Sequence, residues 1–375
     1  MVDTAAWRDS VDVHAVSLKQ TEIELGHTVI MINIDGAHGE GGGQIVRTAL
    51  AMSALTGQVL HLYNIRGHRP KPGLMAQHLQ AVKATAAITH ARVQGAELGA
   101  RELTFTPGPL GDGNYRFDIG TAGAVTLVAQ TLIVPLSFAA TASHITISGG
   151  THVPWSPSFH YFSWHWLRFL ERSGFRVRAR LERIGFYPRG GGRISVDIDP
   201  ISSLTPLSLT ACGALRRIRG ISLVGNLDLS IAERQQRQAC KRLGRLCDDV
   251  DIELQRFPSY SPGTCLLLLA EFEQSQCCYS ALGARGKRAE CVADEAVDAF
   301  ETFLKSGAAV DEHLADQLIV PLSIVSGVSE LHIGRITQHL LTNIEMVRRF
   351  LPVDVTVRGA VGSPGHVRIR GHALK

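Results

Sequence analysis

The first 211 residues contain no cysteine, and the seven cysteines present all fall between Cys212 and Cys291, none in a C-x-x-C pair. An odd count without paired spacing excludes a disulfide framework and a zinc site, and fits reduced thiols. No continuous apolar run approaches the roughly 20 residues that a membrane helix needs. The opening MVDTAAWRDSVDVH is interrupted by Asp3, Arg8, Asp9 and Asp12, which a secretory h-region would not contain. Charge of one sign is scarce as well: charged residues make up 19% of the chain and the formal net charge is +4. No basic tail announces nucleic acid, although a local phosphate-binding patch depends on where charges sit and not on their sum. These absences leave a soluble, cytoplasmic protein with no membrane partner. Its 375 residues, 45% hydrophobic, suffice for a sizeable core and are expected to form more than one domain.

Repetition is what the sequence has in abundance. Gln130 to Ser137 reads QTLIVPLS, and Gln317 to Ser323 reads QLIVPLS. Each is followed by small residues, a strand-like segment (HITIS, ELHIG), a short loop and a helix-like run. A more diverged copy opens the chain: GQIVRTALAMSALTG, with Gly57 as a C-terminal cap, then VLHLYNI, the loop RGHRPKPG and LMAQHLQAVKAT. Each copy closes on two strand candidates: ARVQGAELG with RELTFTP, FRVRARLER with GRISVDI, and VDVTVRG with HVRIRG. The fold class predicted is α+β, with three repeated units of two helices packed on a four-stranded sheet. All seven cysteines lie in a stretch of different order, which predicts a smaller inserted α/β domain over 211–307. The repeat-built domain then occupies 29–210 and 308–375, and residues 1–28 form a flexible N-terminal extension.

Between a strand (VIMINID) and a helix (IVRTALAM), Gly36 to Gln44 reads GAHGEGGGQ. Consecutive glycines let backbone N–H groups converge, and a helix N-terminus favours an anion there. The run is neither a Walker A loop nor a dinucleotide fingerprint, and on its own a glycine run is as often a structural turn. Its context adds weight. Glu40 offers a hard oxygen for Mg²⁺ beside phosphates, and Arg47, Arg66, Arg69 and Lys71 lie at the same end of the unit.

Sixteen histidines are present, so a single one means little. His339 begins the final helix-like run, where the macrodipole disfavours an imidazolium and keeps the ring nucleophilic. A neutral imidazole can attack phosphorus to give a phosphoramidate that is readily cleaved. His78, His152 and His160 sit at comparable loop-to-helix junctions, so position alone leaves the choice open.

Eight separated segments resemble the RNA 3'-terminal phosphate cyclase family: DGAHGEGGGQIVR, IRGHRPKPGLMAQHL, QGAELG, GTAGAVTLVAQ, SGGT, GFYPRGGG, HLADQL and QHLLTN. The resemblance runs from about Ile32 to Pro352. It implies a cytoplasmic, ATP-binding enzyme of the ligase class that acts in RNA processing. An RNA 3'-phosphate end would become a 2',3'-cyclic phosphate through AMP carried on His339 and an adenylated RNA end. ATP and a divalent metal, Mg²⁺ or Mn²⁺, are implied. By position, Glu40 matches the metal ligand. Gln44, Arg47, Arg66, Arg69 and Gln77 match residues that hold phosphates or the RNA end. Gln130, Pro157 and the segment His313, Leu314, Ala315, Asp316 and Gln317 match the nucleotide pocket.

Two departures stand out. His313 replaces a common tyrosine, and His152 and Val153 replace more polar residues. A second copy of the chain is a further candidate partner. The competing readings are a non-catalytic relative that binds RNA or partners in ribosomal RNA processing, and an enolpyruvyl-type transferase. The first lacks the nucleophilic histidine, and neither forms a protein-bound adenylate.

Overall fold

The computed structural model describes residues 21–24 and 27–374, with side chains from Met31 onward. Strands β1 (Thr21–Glu24) and β2 (His27–Asp35) lead through the glycine loop into helix α1 (Gly43–Thr56). Then come β3 (Val59–Tyr63), α2 (Ala76–Ile88), β4 (Arg92–Gln94) and β5 (Leu103–Thr106). The resulting sheet has the order β1-β2-β3-β5-β4, with β2 and β3 parallel and the other pairs antiparallel. Parallel neighbours need a crossover, which α1 supplies. Gly57 ends α1 in a left-handed conformation, φ 70°, with its N–H bonded to the Ser53 carbonyl at 2.9 Å. Of the extension expected over 1–28, residues 21–24 form a strand paired with β2 and residues 27–28 begin β2. The other positions lie outside the described residues.

The second sheet is built from β6 (Asn114–Asp118), α3 (Val125–Leu136) and β7 (Ser143–Gly149), followed by α4 (Phe159–Tyr161). A π-helical turn at Phe162–Trp166 joins α4 to α5 (Leu167–Arg172), and β8 (Arg176–Arg183) and β9 (Gly192–Asp199) complete the order β6-β7-β9-β8. Strand β6 was not anticipated, because NYRFD carries only two apolar side chains and both are half-buried.

A two-residue strand, β10 (Ser208–Leu209), precedes the inserted segment. The insert contains β11 (Leu215–Gly225), α6 (Leu229–Leu243), β12 (Val250–Phe257), β13 (Gly263–Phe272), β14 (Gln276–Leu282) and α7 (Ala289–Ser306). Its own sheet runs β12-β11-β13-β14. The chain returns through α8 (Glu312–Gln317), α9 (Ile319–Ser323), β15 (Gly327–Ile333), α10 (Gln338–Phe350), β16 (Asp354–Arg358) and β17 (Gly365–Gly371). The last sheet, β10-β15-β17-β16, therefore begins before the insert and ends after it.

The architecture is α+β. Helix α1 packs against α2, α3 and α10, so the three outer sheets share one helical layer. The run TCLLLLA in β13 is buried along its length because both faces are covered. Cys265, Leu267 and Leu269 join the main core, whereas Leu266, Leu268 and Ala270 join a second core with α6 and α7. All seven cysteines are free thiols. Among the described residues no helix is long and apolar enough to cross a membrane.

Candidate active site

The glycine loop runs close against α2. A Cβ on Gly43 would fall 2.0 Å from His78 Nε2, so no side chain fits there. Gly42 caps α1 without a side-chain acceptor, and no acidic residue stands in the first turn. The N–H groups of that turn consequently have no side-chain partner from the cap. Helix α10 approaches from the opposite side, its start set by the Thr337 hydroxyl, which accepts from Leu340 N at 3.1 Å.

His339, the second residue of α10, meets the loop. Gln44 clamps it twice: its Nε2 donates to the His339 carbonyl at 2.8 Å, and its Oε1 accepts from the ring Nδ1. The other ring nitrogen, Nε2, lies 2.9 Å from Glu40 Oε2, and Arg69 stands 3.7 Å from that same oxygen. Both nitrogens are engaged, yet the side chain is 44% exposed, so the ring remains open to solvent and ligand. Its pKa is lowered from the ordinary value, first by burial and then by Arg47, Arg69 and His313, with Glu40 opposing. Burial is the largest of these causes.

A cleft of about 490 Å³ opens beside this ring. Gln44 and Arg47 of α1 form one wall, and Gln130 of α3 lies across from His313, Asp316 and Gln317 of α8. Gln130 Nε2 donates to Gln317 Oε1 at 2.6 Å, and Pro157 and Trp155 close another side. Burial pushes the Asp316 carboxyl up to about 8 against the pull of Arg47. The Arg47 guanidinium is lowered by burial to about 10, with Asp316 opposing, so it stays charged at neutral pH while Asp316 is mostly protonated.

Other anticipated residues sit elsewhere. Leu314 and Ala315 are wholly buried in the core behind the α8 wall. Arg66 spends its guanidinium on the Lys71 and Gly73 carbonyls of its own loop, at 2.7 and 2.9 Å. Gln77 accepts from Ala124 N at 2.7 Å and holds the loop before α3. The rival histidines are occupied too. His78 is buried, its pKa lowered to about 3, and its Nδ1 accepts from Met75 N. His152 and His160 are buried and bonded to each other at 2.9 Å.

Several contributors escaped sequence reasoning. Cys278, Tyr279 and Ser280 of the inserted strand β14 line the cleft, and no pattern in the sequence signals that an insert would reach it. Asn343, the last residue of QHLLTN, links α1 to α8. Among the described residues no group of three or more His, Cys, Asp or Glu side chains is arranged to hold a metal ion. Glu40 fits a divalent cation only as one ligand among phosphate oxygens, an arrangement typical of Mg²⁺ at nucleotides.

The family model described as RNA 3'-terminal phosphate cyclase matches residues 38–357. A protein of that name from Methanopyrus kandleri is 42% identical over 347 residues, covering 91% of this chain and 99% of the other. Those from Methylococcus capsulatus and Pseudomonas fluorescens are each 43% identical, covering 91% and 92% of this chain and 97% and 98% of theirs.

Proposed function

The chain belongs to the RNA 3'-terminal phosphate cyclase family of enzymes, and from that membership we propose that it cyclises RNA 3'-phosphate ends with ATP through a histidinyl-AMP intermediate. The observation that carries the mechanism is His339, held at both ring nitrogens by Gln44 and Glu40 at the edge of the cleft. With Nδ1–H committed to Gln44 Oε1, the lone pair of the neutral ring resides on Nε2. Nε2 lies 2.9 Å from Glu40 Oε2, so it reacts only once it leaves that oxygen. A Mg²⁺ or Mn²⁺ ion bound by Glu40 and phosphate oxygens would neutralise charge on the triphosphate.

His339 Nε2 attacks the ATP α-phosphorus, a P–N bond forms, and the bond to the β-phosphate oxygen breaks, releasing pyrophosphate. An oxygen of the RNA 3'-phosphate then attacks the same phosphorus and breaks the P–N bond, giving an RNA–pp–A end. The terminal 2'-hydroxyl oxygen attacks the RNA phosphorus, AMP leaves, and its proton passes to solvent. The last step is intramolecular, so orientation supplies most of the acceleration. In this reading Arg47 and Arg69 stabilise phosphate charge, and Gln130, Pro157, His313, Asp316 and Gln317 hold the nucleoside. Arg66 and Gln77 would act by shaping their loops.

We also read the three outer sheets as copies of one unit, supported by the order they share once the additional edge strand β1 of the first is set aside: one parallel pair followed by two antiparallel pairs.

Incubation with α-labelled ATP and Mg²⁺ or Mn²⁺ tests the reading. The expected result is acid-labile, alkali-stable label on the protein that is absent in His339→Ala and reduced in Glu40→Ala. RNA with a 2'-deoxy terminal sugar should stop at the adenylated end. No label on the wild-type chain would overturn the proposal in favour of a binding protein.

A further inference from the structure

Trp155 combines two unfavourable features. Its side chain is 99% exposed, and its backbone is left-handed at φ 58°, a conformation that a bulky residue rarely adopts. The turn is not loose. Thr151, His152 and Val153 just before it are buried, and Ser156 Oγ donates to the Val153 carbonyl at 2.9 Å. A rigid loop thus projects a bare indole beside the cleft that holds His339.

Two more loops continue from this point. The Thr151 and His152 N–H groups both donate to the Gly185 carbonyl, at 2.9 and 3.2 Å, which joins the Trp155 loop to the segment GFYPRGGG. Phe186 there is buried, and its ring fills a socket in the inserted sheet, where a Cβ on Gly263 would lie 2.2 Å away. The anchor turns the next residue outward, and Tyr187 is 68% exposed. Arg189 N donates to Ser261 Oγ at 3.1 Å, tying in the loop FPSYSPG, whose Tyr260 is 56% exposed. The Arg183 guanidinium lies 4.8 Å from the Tyr260 ring centroid and donates to its hydroxyl.

Residues 150–158, 185–192 and 257–263 contain no Asp, Glu or Lys, but five prolines. The strip is therefore stiff, free of acid, and built from projecting rings and arginines. The Arg183 guanidinium is held by the Gly191 carbonyl and the Tyr260 hydroxyl, whereas the Arg189 side chain is exposed. Planar rings with cationic guanidinium groups complement a single strand, whose unstacked bases offer flat faces and whose backbone is anionic.

We propose that single-stranded RNA upstream of the reacting 3' end runs from the cleft across these three loops, with Trp155, Tyr187 and Tyr260 as base-stacking platforms, Arg183 steadying the Tyr260 ring and Arg189 facing the backbone. This path rests on the RNA-end reading above and extends it beyond the terminal nucleotide.

The test is fluorescence anisotropy with a labelled, unreactive 12-nucleotide oligouridylate ending in a 3'-hydroxyl, using the full chain. Tyr187→Ala with Tyr260→Ala should weaken binding by at least tenfold, and Trp155→Ala alone by about tenfold, with Trp155→Phe restoring most of it. Arg189→Gln should lower the salt-dependence slope by about 0.7. The tyrosine double variant should label with ATP as the wild type does, which shows that it is folded, and should bind blunt duplex RNA unchanged. Unaltered affinity for the single strand in these variants, or equal losses for single strand and duplex, overturns the path. Because the probe does not react, a wild-type chain that fails to label with ATP would sink the catalytic reading while the binding result still decides this one.

Discussion

The Thr48 hydroxyl of α1 donates to Asn343 Oδ1 of α10 at 2.7 Å, and the Asn343 amide donates in turn to the Asp316 carbonyl at 3.0 Å. One side chain thus joins three elements around the cleft. Thr48 and Asn343 are both buried, so Asn343→Ala takes the acceptor from the Thr48 hydroxyl and should cost about 1–3 kcal/mol. Thr48→Val with Asn343→Leu removes both partners of the first bond and should cost less than the summed single variants. Urea unfolding of the four proteins checks this; strict additivity would show that the bond carries no coupling.

Because burial and the neighbouring arginines lower the His339 pKa, the neutral ring persists below pH 6.5. The acid limb of self-adenylation should accordingly fall below that value. Arg69→Gln removes a group that disfavours the imidazolium and should move the limb to higher pH. Glu40→Gln removes one that favours it and should move the limb lower. A pH profile of label incorporation at saturating ATP reads both, and a limb that stays put in both variants counts against His339 as the titrating nucleophile.

Asp316 titrates near 8 in the fold against an ordinary 3.8. A raised pKa gives stability that is fully present below about pH 4 and is lost as pH climbs through about 8. Asp316→Asn lacks this titration. The stability difference between wild type and variant should therefore shrink steadily from pH 4 to 8, as measured by urea midpoints. A difference that is flat across the window would place the carboxyl in water.

Phe186 sits in the glycine socket that joins the second sheet's loop to the inserted sheet. Phe186→Ala should cost about 3–5 kcal/mol through the cavity it leaves. Gly263→Ala should cost about 1–3 kcal/mol by collision with the ring. Phe186→Leu ought to relieve part of the second penalty, and thermal melts of the double variant decide the matter; no relief means that the two positions do not share the socket.

Local order was legible from the residues. Periodicity and glycine punctuation placed α1, β3, α2 and most of the paired strands, because side-chain spacing and capping act over a few residues. The glycine loop, Glu40 and the QHLLTN run were visible for the same reason. Short edge strands such as β6 and β10 were not, since their pairing depends on a neighbouring strand and not on their own composition.

Which of four histidines is available was decided only in three dimensions, by packing that buries His78, His152 and His160 and leaves His339 half-open. The same holds for the raised carboxyl of Asp316, for the reach of β14 into the cleft, and for the outward throw of Trp155. Burial and field at a point depend on chain segments hundreds of residues apart, and no local pattern encodes that sum.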